Sequence, residues 1–139
     1  MKNYLEFFMG SMDRAFGNER RRRDFMTRFY ELFIESSPDV ARRFAATDMD
    51  RQKEMLARSM HEMLEFSTSR AASEYLRQTA QRHDRAHRDI PPVLYDLWLD
   101  CLLATVREFD ARFNDEIELS WRVVLAPGVA YMKFKYDRT

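Results

Sequence analysis

The chain carries three histidines, His61, His83 and His87, and these are its neutral-pH metal ligands of note. Carboxylate-bridged metal chemistry would want Glu-x-x-His on a helix, a spacing that Glu62 and His61 do not make. His61 and His87 have no obvious partner. His83 differs, because it ends a segment of helical spacing, about 72–83, that shows Tyr75, Leu76 and Ala80 and is polar elsewhere. A polar loop then leads to Pro91-Pro92. A helix so poor in large apolar residues needs an anchor other than its own stripe, and a ligand bond to a buried cofactor would supply one. The blander reading is an exposed histidine favoured by the helix dipole, and on these residues alone it is the stronger.

Two further polar groups sit in apolar patterns. Tyr30 falls in the stripe Phe25, Met26, Phe29, Phe33, Ile34, where a tyrosine is usually core with a satisfied hydroxyl. Gln52, Leu56 and Met60 follow one another at four-residue steps and so share one helix face. Gln52 is then either a first-turn residue in solvent or the polar end of that face. Met49, Met55, Met60 and Met63 recur at helical spacing and read as core filling, not as axial ligands. Cys101 lies on the buried stripe of its helix and reads as a small apolar residue.

The elements that must position these groups can be followed almost end to end. A first helix, roughly 3–16, carries Tyr4, Leu5, Phe8, Met9, Met12 and Phe16 and stops at Gly17. A second starts near Asn18 and ends before Pro38. Ser37-Pro38 is a capping hydroxyl followed by the residue that loses nothing at the first helical position, and it opens a short helix to about Phe44. Thr47 or Asp48 caps a longer helix to about Thr68. After the 72–83 segment, Ile90-Pro91-Pro92 opens a helix with Leu94, Leu97, Trp98, Cys101, Leu102, Val106 and Phe109. Asn114 caps the last, with Ile117, Trp121, Val124, Leu125 and Met132; Pro127 inside it implies a kink or two short helices.

Composition narrows the function classes. The 139 residues fit one domain, 1–139, and three Gly with four Pro argue for long elements and few turns. Alternating Val/Ile/Thr runs are missing, so the class is all-α. Lys plus Arg and Asp plus Glu are 23 each, which leaves no long-range field to recruit nucleic acid or an acidic membrane. The run Arg20 to Arg23 reads as a solvated helix face, with a weak anion or partner contact as the lesser reading. One cysteine, no N-terminal targeting pattern and no long apolar stretch make a cytoplasmic setting the expectation.

The stretch Phe29-Tyr30-Glu31-Leu32-Phe33-Ile34-Glu35-Ser36-Ser37-Pro38-Asp39-Val40-Ala41-Arg42-Arg43-Phe44 resembles, without a gap over 16 residues, the second and third helices of bacterial single-domain globins and globin sensor domains. A second match, Leu76, Ala80 and His83 followed by Ile90-Pro91-Pro92-Val93-Leu94-Tyr95, resembles the globin proximal helix, its histidine ligand and the start of the next helix. The resemblance spans residues 20 to about 125.

What it implies is a globin fold of about seven helices around a haem pocket, with haem b iron ligated by His83. Tyr30 matches the tyrosine that points into the distal pocket, and Phe44 the phenylalanine that stacks on the haem. Gln52 and Leu56 take the distal polar and apolar positions; a one-residue shift would substitute Arg51 and Met55. Leu76 lies on the proximal helix, and Tyr95 matches the tyrosine near the proximal histidine. Some bacterial globins add a glutamate on the last helix, where this chain has Tyr136, a departure from a peroxidase-like triad. The implied function is reversible binding of oxygen, nitric oxide or carbon monoxide, for storage, scavenging or sensing. Nitric oxide dioxygenation with an external reductase is open, as are a signalling partner and a homodimer through the helix after Pro91 and the last helix. The alternatives are a globin-fold sensor without haem and a helical module for protein contacts.

Overall fold

The computed structural model describes residues 3–69 and 71–138. Seven helices form there: α1 (Tyr4–Phe16), α2 (Glu19–Ser36), α3 (Pro38–Phe44), α4 (Met49–Ser69), α5 (Glu74–His83), α6 (Val93–Phe109) and α7 (Asp115–Lys135). No strand occurs among the described residues. The all-α reading and the helix order stand, with bounds within a few residues of those read from the sequence.

Local chemistry sets the helix starts. Asn3, Asn18, Ser73 and Asn114 each accept a hydrogen bond from the backbone N–H three residues on, at 2.8–3.1 Å. Ser37 accepts from Asp39 N–H ahead of α3, and Asp48, one of the two caps expected for α4, accepts from Arg51 N–H at 3.3 Å. Gly17 ends α1 at φ +53°, and a Cβ there would meet Arg21 Cδ at 2.7 Å. Pro127 does not divide the last helix, which runs unbroken to Lys135. The carbonyl it leaves without a helical donor is that of Val123, on the exposed side.

Packing follows the apolar stripes. α1 lies on α7, α2 on α6, and α4 crosses α7 where Gly128 has no side chain; a Cβ at Gly128 would stand 2.8 Å from Met63. Phe8 stacks edge-on against Trp121 at 4.7 Å, and the indole N–H donates to Ser11 at 2.9 Å, all three fully buried. A smaller cluster of Leu76, Ala80 and Met132 joins α5 to α7. Within the basic run, Arg21 turns back to the carbonyls of Arg14 and Phe109 and lies over the Phe109 ring. All four arginines of the run are exposed as expected, and Arg21 serves in addition as a strap.

The C-terminus of α6 is locked by Asp110, whose side chain is fully buried and takes a two-pronged bond from Arg14 at 2.6 and 3.0 Å. Burial alone would raise this carboxyl. Bonds from Arg14, Ser11 and Arg112 N–H, with the Arg14 charge, outweigh burial and hold it below the usual carboxylate range. The stabilisation is therefore full above the unfolded value of about 3.9 and fades as pH falls through the lowered folded value. Asp110→Asn should lower stability at pH 7 by about 3 kcal/mol. Urea unfolding at pH 7, 5 and 3 checks this, and a deficit that does not shrink in acid would contradict it.

Candidate functional site

Tyr30 leaves α2 into an aromatic group, with the Phe29 ring at 4.9 Å and the Phe44 ring at 5.5 Å, both edge-on. It is 4% exposed, and Gln52 Nε2 donates to its hydroxyl oxygen at 3.1 Å. Burial raises the Tyr30 phenol, the Gln52 bond opposes this, and Tyr75 adds to the rise, so the group stays protonated. Because the oxygen already accepts from Gln52, the O–H remains available as a donor. Gln52 is half-buried and Leu56 buried, whereas Arg51 is exposed and Met55 half-buried. The inward face of α4 is thus that of Gln52, Leu56 and Met60.

His83 ends α5 with its ring largely withdrawn from water. Its Nδ1 stands 3.4 Å from the Tyr95 hydroxyl on α6, and Nε2 has no hydrogen bond among the described residues. Burial first, then the charges of Arg88 and Arg82, lower its pKa from the usual 6.5 to about 4. Burial also raises the Tyr95 phenol, so Tyr95 is neutral. If His83 Nδ1–H donates to Tyr95, Nε2 keeps its lone pair, and that tautomer is the metal-binding one.

Sequence reasoning missed the ties that hold this ring. Ile90 N–H donates to the His83 carbonyl at 3.0 Å, and Arg85 N–H to the Tyr136 carbonyl at 2.7 Å. The Tyr136 hydroxyl donates to Asp89, a residue in the left-handed region at φ +54°. Arg43 of α3 reaches the Arg88 carbonyl at 2.9 Å. His87, for which the sequence offered no partner, has its Nδ1 2.7 Å from Asp84, and His61 lies 3.9 Å from Glu65. Apart from the i,i+4 pair of His61 and Glu65 within α4, these links join residues far apart in sequence or need the loop's bend, and no pattern announces them.

Tyr75 was also missed, although its spacing could have found it: eight residues before His83, it shares that helix face. Its hydroxyl donates to the Met55 carbonyl at 3.3 Å and stands 3.4 Å from Ser59 Oγ, with the Arg58 guanidinium 4.2 Å from its ring centre. It therefore stitches α5 to α4 at Met55 and Ser59, one turn beyond Gln52. The structure brings together Tyr30, Phe44 and Gln52, with Leu56 in the same core, and separately His83 with Tyr95. Leu76 belongs to the small cluster against α7, and Tyr95 packs against both clusters.

No protein-family profile and no curated protein matches this sequence. Among solved structures it is similar to a Pseudomonas aeruginosa protein described as structurally highly homologous to a human hemoglobin. The two are 36% identical with a TM-score of 0.86, over 96% of this chain and 98% of the other.

The lowered His83 value yields a direct expectation for the chain without added ligands. Its imidazole resonances should stay at their neutral positions from pH 8 down to about 5 and move only near 4. Because the unfolded ring takes up its proton near 6.5, this site favours unfolding progressively as pH falls from there towards 4. A proton NMR titration with a His83 midpoint above 6 would show that the ring is not buried as described.

Proposed function

The chain belongs to the globin family, and from that premise we propose that it binds haem b, with His83 as the iron ligand, and takes up a diatomic gas reversibly. The observation that carries this is the half-buried imidazole of His83, whose Nδ1 stands 3.4 Å from the Tyr95 hydroxyl and whose Nε2 has no hydrogen bond among the described residues, with burial and the nearby arginines disfavouring its proton. That donor set fits the group. When bound, the haem would supply an open iron position for oxygen, nitric oxide or carbon monoxide.

The chain's residues divide the rest of the work. Tyr95 fixes the tautomer and orientation of His83. Phe44 would pack against the haem, and Leu56 and Met60 would keep the α4 side dry. Gln52 orients the Tyr30 hydroxyl so that its proton is available to the gas, and such a bond slows the gas's escape. Slow release suits scavenging, nitric oxide dioxygenation with an external reductase, or sensing better than transport. No helix of the described residues is long and apolar enough to cross a membrane. A homodimer through α6 and α7 is part of the proposal, since Leu119, Val123 and Phe134 lie exposed along α7.

Two measurements test this reading. Purified chain supplied with haem, reduced and exposed to carbon monoxide, should give a strong Soret band at one haem per chain, and His83→Ala should lose it or bind far more weakly. Wild type without stoichiometric haem would leave the haem-free alternative, a fold used for protein contacts. Tyr30→Phe should retain haem but release oxygen about tenfold to a hundredfold faster, the loss of one hydrogen bond to a partly charged ligand. An unchanged off-rate by flash photolysis would remove Tyr30 from that role.

A further inference from the structure

α5 and α7 meet through the small cluster of Leu76, Ala80 and Met132, and beside that cluster they enclose a cleft of about 220 Å³ that buried Ala80 helps to line. Its walls are two helix faces. On α5, positions 74, 77, 78 and 81 recur at steps of three and four, and opposite them stand 131 and 135 of α7 and 138 of the turn after it. All seven side chains end in polar groups, so no aliphatic side chain from these faces fills the seam. The charge of the cleft is unbalanced. Arg77, Lys135 and Arg138 face one acid, Glu74, which already takes Arg77 at 3.3 Å and the Gln78 amide at 3.2 Å. Arg138 commits Nη1 to the Phe134 carbonyl and to Asp137, both at 3.0 Å, and keeps its other N–H groups. Lys133 pairs with Asp96, whereas half-buried Lys135 has no carboxylate partner among the described residues. The Tyr131 hydroxyl and the Gln81 amide likewise have no hydrogen bond among them. Cations in the last turn of α7 suit its dipole, but that asks for no arginine across the cleft on α5. A second cleft, of about 340 Å³ at the α6–α7 loop, has the reverse balance, with Asp110, Asp115 and Glu118 against Arg107.

We propose that the cleft between α5 and α7 is a binding site for a small phosphate-bearing anion, held by Arg77, Lys135 and Arg138 with Gln81 and Tyr131 as neutral donors. These groups are donors on opposed walls, and a phosphate presents acceptors all round a tetrahedron where a carboxylate presents two in a plane. A neutral ligand would leave the cations of the two walls facing each other. The volume suits one or two phosphoryl groups, and the concave shape suits a small molecule, not a duplex or a membrane surface. The proposal stands apart from the haem reading, since it needs only α5 and α7. Its consequence falls on α5, which buries only Leu76 and Ala80 of its own. Such an element opens early, and an anion that bridges it to α7 binds only the closed arrangement, so α5 gains protection ahead of the rest of the fold.

The test titrates inorganic pyrophosphate into the labelled full chain without added haem, at ionic strength held constant with sodium chloride, and follows amide NMR shifts and hydrogen exchange. Citrate serves as the carboxylate comparison. Pyrophosphate should give saturable shifts at residues 74–81 and 131–138, and at saturation should slow amide exchange in α5 about tenfold while leaving α2 and α6 unchanged. Arg77→Gln/Lys135→Gln, melting with wild type when no anion is present, should bind about tenfold or more weakly, the loss of two charge-assisted contacts. Shifts that do not saturate, or that fall at residues 20–23 or 82–88 instead, would overturn the proposal, because they report general attraction to basic surface. Citrate binding as tightly as pyrophosphate would overturn the phosphate assignment, and an unchanged affinity in the variant would remove the site. Should the double variant melt early, Lys135→Met replaces it, and the same comparison of affinities decides.

Discussion

An imidazole can serve as a metal ligand only while one nitrogen keeps its lone pair and the ring is aimed, and α5 is a weak helix on which to mount it. Burial and the neighbouring arginines meet the first condition by disfavouring the proton. The second is met from outside the helix, because α5 buries only Leu76 and Ala80 of its own. Tyr95 reaches the ring from α6, Tyr136 takes the loop's Arg85 N–H at the end of α7, and Arg43 holds the Arg88 carbonyl from α3. Three helices thus position a residue that its own helix could not.

The opposite side is built on a different principle. Tyr30 and Phe44 sit within the main aromatic core, where close packing fixes their rotamers. A buried tyrosine in such a place ordinarily costs stability unless its hydroxyl is satisfied, and Gln52 satisfies the oxygen without taking the proton. One side chain of α4 therefore converts a core residue of α2 into a directed donor.

The sequence made the helices legible because their starts are chemical. Asn18, Ser37, Asp48 and Asn114 each announced a boundary that the backbone then adopted. The face of α4 followed from four-residue steps, and exposure of Arg51 separates Gln52 from its rival register. Of the two readings of Pro127, a break into two short helices fails, since one helix runs through it; the penalty depends on whether the freed carbonyl is buried, which a linear pattern does not say. The loop after His83 was opaque for a related reason. Its structure rests on backbone carbonyls of Tyr136, Arg82 and Arg88, and any residue type supplies a carbonyl. Local chemistry can be read in a linear text; long-range backbone partners cannot.

The two sides also differ in what secures them. α2 and α4 share the large core, while α5 hangs on a small cluster against α7 and on the Tyr75 bridge to α4. Elements with few buried contacts open before the rest of a fold. In the proposed function, a bond from the haem to His83 would fasten the end of α5 that has the least apolar support. By linkage, whatever binds only the closed arrangement stabilises it. The weakness of α5 as a helix is then the reason its position can answer to a ligand, where the packed faces of α2 and α7 cannot.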